Sequence, residues 1–487
     1  MSVLIGIDEG TSAVKAVAYD EELRPLHEAR REKPLRHPRA GWVEQDPADV
    51  LRAVAETVAE LLGKLDGEEV AACGLDHQGE SVLAWEAGSE ETLTPIVTWQ
   101  DKRSQEVLDR LEGDGRAEAV RERSGMPLDP YFSAGKLAWL LEHEPALERA
   151  RDAGTLRLGT VDSWLCDLLG AGFTTDASTA SRTQLYAPGG DGWDRELLDA
   201  FGVPGDSLPE IRDSVGELGS LRHPDWPVEL PLSARVVDQQ AALAGAGCVE
   251  PGLVKATYGT GVFVLAHVGD EPPTPGDDGL LPTVAWRVDG RTEFALDGGV
   301  FTAGALVEWL SRDLGLAADP AALAALAAEV PDSHGVRLLP ALAGLGAPWW
   351  RPDARGVIAG LSSGVRAGHV ARAALEAVAW RVADVLAAVA EHSPVEALRV
   401  DGGMTRDPLL LQLQADAAGL PVQRGAVDAT AAGSAALAAV GAGILGSVRE
   451  IGERIPAGER VEPARDRSWR EREHEAWRQF VERAAAL

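Results

Sequence analysis

An α/β fold in two related domains is what this sequence predicts, and three features carry the prediction. The chain has 487 residues, more than one hydrophobic core usually holds, so domains of about 200 residues or more are expected. Short aliphatic runs alternate with amphipathic helical stretches, the pattern of sheets covered by helices. A strand, glycine turn and strand near the N-terminus return in the middle of the chain. The return places a boundary near residue 245, with an N-terminal domain over 1–245 and a C-terminal domain over 246–487.

Residues 3–8 are aliphatic and almost continuous and read as a buried strand; residues 13–20 alternate and read as its hairpin partner. Gly10, Thr11 and Ser12 form the turn between them. Asp8 stands where the first strand ends, and Lys15 lies just beyond the turn. An acid that orders a metal, a cradle of backbone amides and a cation are the parts of a nucleoside triphosphate site. An ordinary hairpin with a glycine turn reads equally well from the same residues.

Farther on, Asp46 followed by Pro47 marks a helix start, an N-cap and then proline at the first helical position. This helix runs to about Gly63 with Val50, Val54, Val58, Leu61 and Leu62 on its inner face. Residues 70–76 read as a strand ending in the loop His77-Gln78-Gly79-Glu80, and strands return over 81–85 and 95–99. From about 102 to 230 helical segments and loops dominate, an insertion suited to form one wall of a cleft. Ser133 is placed to cap one helix, and residues 159–164 open another. Residues 227–231 read as loop; residues 235–237 then end in Asp238, before an Ala- and Gly-rich helix over 241–247.

At Leu253 the opening pattern returns, with Gly259-Thr260-Gly261 as the counterpart of Gly10-Thr11-Ser12. Residues 398–403 end a strand in a glycine loop, as residues 74–79 do. The long helix 367–390 and a helix after Pro408 complete the second domain. The Arg- and Glu-rich tail after Pro463 reads as an amphipathic surface helix without chemistry of its own.

The net charge of −31 is spread along the chain and disfavours binding to nucleic acid or anionic membranes, whose phosphates attract basic surfaces. Solubility accounts for it. Cys73, Cys166 and Cys248 lie far apart in apolar contexts, without the spacing of a zinc site or disulfide framework. No basic-then-apolar leader begins the sequence, and no run approaches about 18 apolar residues. The expectation is a soluble cytoplasmic protein whose partner is a small molecule, neither nucleic acid nor membrane.

Five motifs, taken in order, resemble the FGGY carbohydrate kinases, and most of all the members that phosphorylate glycerol. They are Asp8-Glu9-Gly10-Thr11-Ser12; Gly41-Trp42-Val43-Glu44-Gln45-Asp46-Pro47; Asp129-Pro130-Tyr131-Phe132-Ser133; Asp238-Gln239-Gln240-Ala241-Ala242-Leu243 with Thr257-Tyr258-Gly259-Thr260-Gly261; and Gly344-Leu345-Gly346-Ala347-Pro348. The similarity runs from residue 3 to about 445. It implies two actin-like, ribonuclease-H-like domains closing on ATP and a small polyol or sugar. It implies ATP-dependent phosphorylation of a terminal hydroxyl of glycerol or a closely similar polyol, with ATP and Mg²⁺ as cofactors. A tetritol or pentulose is the alternative substrate, and a non-catalytic actin-like ATPase module is the alternative class. A homodimer or homotetramer is compatible with the resemblance.

The same resemblance assigns roles. Asp238 would be the base that accepts the alcohol's proton, with a helix N-cap as its structural alternative. Asp8, together with Asp238, would hold Mg²⁺ largely through water. Thr11, Ser12, Lys15, Thr260, Gly261 and Gly304 would serve the phosphates, and Gly402, Gly403 and Asp407 the adenosine. Gln78, Glu80, Trp99, Tyr131, Asp238, Gln239 and Phe263 would build the polyol pocket. The sequence departs from the pattern at four points. Glu9 stands for the usual Gln and would add a carboxylate near the phosphates; Lys15 stands for Arg, Asp407 for Asn, and Gly79 for the Arg of a glycerol-binding Gln-Arg-Glu triplet. Gly79 opens space beside Glu80 and predicts weak glycerol use or preference for a longer polyol, unless another cation reaches in; Arg103 is near in sequence.

Overall fold

Two sheets of one design frame the molecule, seen here in a computed structural model that describes residues 2–276, 278–425, 428–455 and 458–487. The first contains β1 (Val3–Glu9), β2 (Ala13–Tyr19), β3 (Pro25–Glu32), β4 (Val70–His77) and β5 (Leu230–Val237), in the order β5-β4-β1-β2-β3 with a short edge strand beyond β5. The second contains β6 (Gly252–Tyr258), β7 (Val262–Gly269), β8 (Leu281–Val288), β9 (Arg291–Val300), β10 (Val395–Asp401), β11 (Val422–Arg424) and β12 (Arg460–Val461), in the order β8-β9-β7-β6-β10-β11-β12. In each sheet the opening strand pairs antiparallel with its hairpin partner and parallel with a later strand: β1 with β2 and β4, β6 with β7 and β10. A further parallel strand follows, β5 beside β4 and β11 beside β10. The weak echo in the sequence is therefore a repeated topology.

The main helices are α1 (Pro47–Lys64), α2 (Asp238–Gly245), α3 (Ala367–His392), α4 (Pro408–Ala418), α5 (Ala429–Gly441) and α6 (Arg467–Ala484). Val3, Leu4, Ile5 and Ile7 of β1 are all fully buried because both faces of the sheet are covered. Val3, Ile5 and Ile7 pack with Val50, Val54, Val58 and Leu61 of α1; Leu4 packs with Ala431, Ala435 and Ala439 of α5. The α1 start forms as expected: Asp46 accepts a bond from the Ala48 amide at 3.0 Å, ahead of Pro47.

Helix α5 crosses the expected domain partition. It comes late in the chain yet lies against β1, β4 and β5 of the first sheet and against α2. Glycines permit the approach. A Cβ on Gly6 or Gly74 would collide with the α5 backbone, and one on Gly245 or Gly433 would collide where α2 and α5 cross.

The expected strands near 82 and 96 belong to a separate small sheet, ordered Glu44–Gln45, Ile96–Val97, Val82–Glu86, Leu156–Thr160. Beside it pack the helices Gln105–Gly113, Ala117–Ser124 and Ser133–His143. Four local expectations change. Strand β5 begins at Leu230, inside the stretch read as loop, because it pairs with β4 through Leu232 and Cys73. Ser133 does not cap its helix: Phe132 holds the N-cap position, and Ser133 Oγ donates to the Glu80 carbonyl at 3.3 Å. Strands β8 and β9 lie outside the strands the sequence pattern predicts, although Asp289 and Gly290, both at positive φ, form the hairpin turn between them. The tail helix α6 is docked rather than merely superficial. Trp477 and Val481 are buried, and Asp384 of α3 accepts from His474 at 2.9 Å and Trp477 at 3.0 Å. Among the described residues no helix is long and apolar enough to cross a membrane, and all three cysteines are buried and unpaired.

Candidate active site

The central strands of the first sheet end together. Asp8 pairs in register with Asp76, and Asp76 with Val236, so Asp238 follows at the next strand end. Burial raises all three acids: Asp8 to about 6, where a hydrogen bond from Asp76 opposes the rise and Glu9 adds to it; Asp238 to about 7, with repulsion from Asp8 and Glu80; and Asp76 well above the ordinary carboxylate range, with repulsion from Asp8. Among the described residues neither carboxylate oxygen of Asp76 has a hydrogen-bond partner of ordinary geometry, and both are buried. Asp238 opens α2 but spends nothing on capping, since Val237 holds the N-cap position and no side-chain cap bond forms. The second sheet mirrors this arrangement. Thr257 pairs with Asp401, and Thr257 Oγ1 and Asp401 Oδ1 are buried without partners.

Each glycine turn sits above its acid or hydroxyl. At the first, Thr11 Oγ1 accepts from the Trp99 indole at 2.9 Å, and the Thr11 carbonyl accepts from Gln45 at 2.6 Å. Ser12 and Thr260 are exposed. At the second, the amides of Ala303 and Gly304 donate to the carbonyls of Thr260 (2.9 Å) and Gly259 (3.1 Å). Gly261 and Gly304 have no room for a Cβ there.

Three residues expected to face ligands are occupied elsewhere. Lys15 is ion-paired with Glu28 at 3.1 Å and Asp428 at 2.6 Å rather than turned to the phosphate turn. Glu9 adds no charge at the phosphates, because its fully buried carboxylate is ion-paired with the fully buried Lys33. Gln78 lies beneath the turn and outside the pocket wall. Its amide nitrogen donates to both Glu9 oxygens (3.2 and 3.3 Å) and to Gln45 (2.8 Å), while its oxygen accepts from Ser81 at 3.0 Å.

A small cavity between the sheets is walled by Glu80, Tyr131, Arg182, Asp238, Gln239 and Asp297, with Val237, Gln240 and Leu265 beside them. Glu80 adopts a left-handed backbone, φ 60°, an uncommon conformation for a residue with a side chain. Gln239 Oε1 accepts from the buried Lys255 at 2.7 Å, which leaves the amide nitrogen as its donor toward the cavity. The Tyr131 loop is pinned by Lys136, which donates to the carbonyls of Tyr131 (2.6 Å) and Phe132 (2.9 Å). Trp99 stands behind Tyr131, edge-on at 5.7 Å, and connects this wall to Thr11. Phe263 shares the face of β7 that Leu265 presents, two residues along, and does not line the cavity.

No open space lies beside Gly79, because a Cβ there would meet Val237 Cγ1 at 2.9 Å. The cation near Glu80 is Arg182, not Arg103. Arg182 Nε donates to Glu80 Oε1 at 2.7 Å, and Nη2 is 3.0 Å from Asp297 Oδ2. Arg103 is held away by Asp101 (2.8 Å) and Glu44 (2.6 Å), over the Trp42 ring at 3.8 Å. No sequence motif marks Arg182, Asp297, Lys255 or Lys136. Each is a lone polar residue on an otherwise ordinary helix, strand or turn, and only the fold aims it inward.

A second cavity, of about 350 Å³, opens at the C-terminal half. Gly403, Met404 and Asp407 line it with Val307, Leu375 and Leu410. Gly402 lies so close to the Tyr258 carbonyl that a Cβ would collide, whereas a Cβ on Gly403 would meet nothing. Asp407 Oδ1 caps α4 through the Leu409 amide at 2.9 Å, and its Oδ2 is buried without a partner. This apolar slot with one unspent acceptor suits a nucleobase.

The duplicated sheets, the paired glycine turns and the two cavities define a class: a two-domain α/β protein with a polar pocket and an apolar slot for small molecules. Sequence comparison narrows the class. The N-terminal domain of the FGGY family of carbohydrate kinases matches residues 3–245, and its C-terminal domain matches residues 254–442. The chain belongs to this family. It is 44% identical over 454 residues to a glycerol kinase of Alkalilimnicola ehrlichii, covering 92% of each chain. A crystal structure of Plasmodium falciparum glycerol kinase with ADP superposes with a TM-score of 0.94 at 27% identity, covering 99% of this chain and 98% of that one. A xylulose kinase of Brucella ovis superposes at 0.90 with 25% identity, covering 100% and 99%, so the fold by itself does not choose between triol and ketose.

Proposed function

We propose that this kinase transfers the terminal phosphate of ATP to a terminal hydroxyl of glycerol, with Asp238 as general base. One observation carries the reading: Asp238 is half-buried, unspent on capping, raised to about 7, and shares a wall with Glu80, Tyr131 and Gln239. A base whose pKa lies near the working pH is suited to take a proton as the alcohol attacks. Glu80 accepts from substrate hydroxyls, Gln239 donates to one, and Tyr131 covers the carbon skeleton. Three carboxylates, Glu80, Asp238 and Asp297, outnumber the guanidinium of Arg182, so a neutral polyol suits the pocket and a sugar acid does not.

Adenosine fits the slot at Gly403 and Asp407, and the phosphates fit between the turns at Thr11 and Thr260. Among the described residues no set of three or more metal-type side chains is arranged to hold an ion by itself. Mg²⁺ asks for less, taking one or two carboxylates and completing its shell with water and phosphate. Asp8 and Asp238, both raised by burial beside like charge, fit that demand. They would hold the ion, which supplies charge neutralisation at the phosphates. Three unpaired buried cysteines support a reducing, cytoplasmic setting.

The test is ADP release with glycerol, erythritol, xylulose and gluconate in turn. Glycerol is expected to give the highest kcat/KM and gluconate none above background. A pentulose used better than glycerol would move the assignment to the ketose kinases.

A further inference from the structure

Arg182 carries one donor group that nothing among the described residues satisfies. The residue is 4% exposed. Its Nε is given to Glu80 and its Nη2 to Asp297, while Nη1 is buried with no hydrogen-bond partner. The side chain walls the same cavity as Asp238. The rings of Tyr131 and Phe132 each lie 5.7 Å from the guanidinium carbon. Two carboxylates and two rings thus fix the fork, and the fixed fork leaves one donor for a ligand.

We propose that Arg182 is a substrate-binding residue whose Nη1 donates to a hydroxyl of the polyol other than the one phosphorylated. The proposal rests on the polyol-kinase reading. The chemistry excludes the reacting hydroxyl, because a cationic donor on that oxygen would withdraw the electron pair that attacks phosphorus. A second hydroxyl bonded to Nη1 can return its own proton to the remaining lone pairs of Glu80 or Asp297. The two carboxylates come from different sheets, Glu80 from the loop after β4 and Asp297 from β9. The donor is therefore aimed only when the two halves stand together, which ties recognition of the second hydroxyl to closure of the cleft.

Substrates with single hydroxyls deleted test this. Glycerol, 1,2-propanediol and 1,3-propanediol are compared in the natural enzyme and in Arg182→Lys and Arg182→Gln. Glycerol kcat/KM is expected to fall about 10- to 100-fold in both variants, with the KM for ATP unchanged within about twofold. The diol that lacks the bonded hydroxyl is expected to lose less than about threefold, since it has no bond to lose. Equal losses for glycerol and both diols would reduce Arg182 to a strut between Glu80 and Asp297 and overturn the proposal. Arg182→Lys keeps a positive charge between the two acids and guards against misfolding. Should it still fail to fold, Asp297→Asn unties the guanidinium from the second sheet and leaves Arg182 in place. It should raise the glycerol KM about 2- to 10-fold, and an unchanged KM would count against the assignment. A natural enzyme that turns over no polyol at all would instead overturn the functional reading.

Discussion

Asp238 illustrates how burial makes an ordinary side chain useful. Desolvation comes first among the causes of its raised pKa, with Asp8 and Glu80 adding repulsion and His77 and Lys255 opposing it. Asp238→Asn removes the proton acceptor while keeping size and fold. The expected loss in kcat is about two to four orders of magnitude, with binding of metal-free ATP by calorimetry unchanged. An Asn variant that turns over at the natural rate removes Asp238 from the chemistry. Asp407 poses a question of specificity. Its Oδ2 is an acceptor only, and adenine offers an amino donor where guanine offers a carbonyl. Asp407→Asn can present either an acceptor or a donor. The preference for ATP over GTP in kcat/KM should therefore narrow by about tenfold or more in the variant. A preference that stays as wide shows that Asp407 does not read the base. At this scale the sequence proposes which residues neighbour a cleft but does not say where each side chain spends its bonds. Gln78, Glu9 and Lys15 sit where their motifs suggest, yet partners distant in sequence, Lys33 and Asp428 among them, claim them.

Elements were legible where a local rule decides them. Asp46-Pro47 starts a helix because cap and proline act within one turn. Ser133 offered the same kind of signal but had a better partner in the Glu80 carbonyl, across the chain. The helix that follows holds Lys136, whose pKa falls from 10.5 to about 7, chiefly because burial penalises its charged form. The unfolded chain keeps that proton up to about 10.5, so between about pH 7 and 10.5 it binds more protons than the native state, and stability rises with pH across that window. Lys136→Met should remove this rise, read as the urea midpoint at pH 7 and pH 9.5. Parallel pH profiles for the two proteins would show that Lys136 is not titrating there. The crossing of α2 and α5 offers a sharper contrast. A Cβ on Gly433 would strike the Ala241 carbonyl, whereas one on Gly63 of α1 would meet nothing. Gly433→Ala is expected to cost about 1–3 kcal/mol by overpacking, and Gly63→Ala to gain up to about 1 kcal/mol from helix propensity. Thermal melts of the two variants should move in opposite directions; a Gly433→Ala protein as stable as the natural one would show that the crossing can part without cost.

On the scale of the molecule, the chain passes between the sheets repeatedly: α2 leads from the first to the second, α5 returns to pack on the first, and β12 lies again in the second. The ion pair of Arg182 with Asp297 adds a polar clasp inside the cleft. ATP is expected to touch mainly the second half and the polyol the first, so the ternary complex should be more compact than either binary one. Small-angle scattering with an ATP analogue, with glycerol, and with both checks this. Identical profiles in all states would argue against a closing cleft.

Periodicity, caps and glycine turns in the sequence by themselves determined an α/β protein of two like halves, with Asp8 and Asp238 at strand ends and Thr11 and Thr260 on paired turns. These are local properties, fixed by residues within a few positions of one another. Tertiary structure alone decided what requires distance. It brought α5 back onto the first sheet, closed the space beside Gly79 with Val237, paired Glu9 with Lys33, and set Arg182 between acids of both halves. A buried charge takes whichever partner the fold brings within reach, and no local pattern in the chain records which partner that will be.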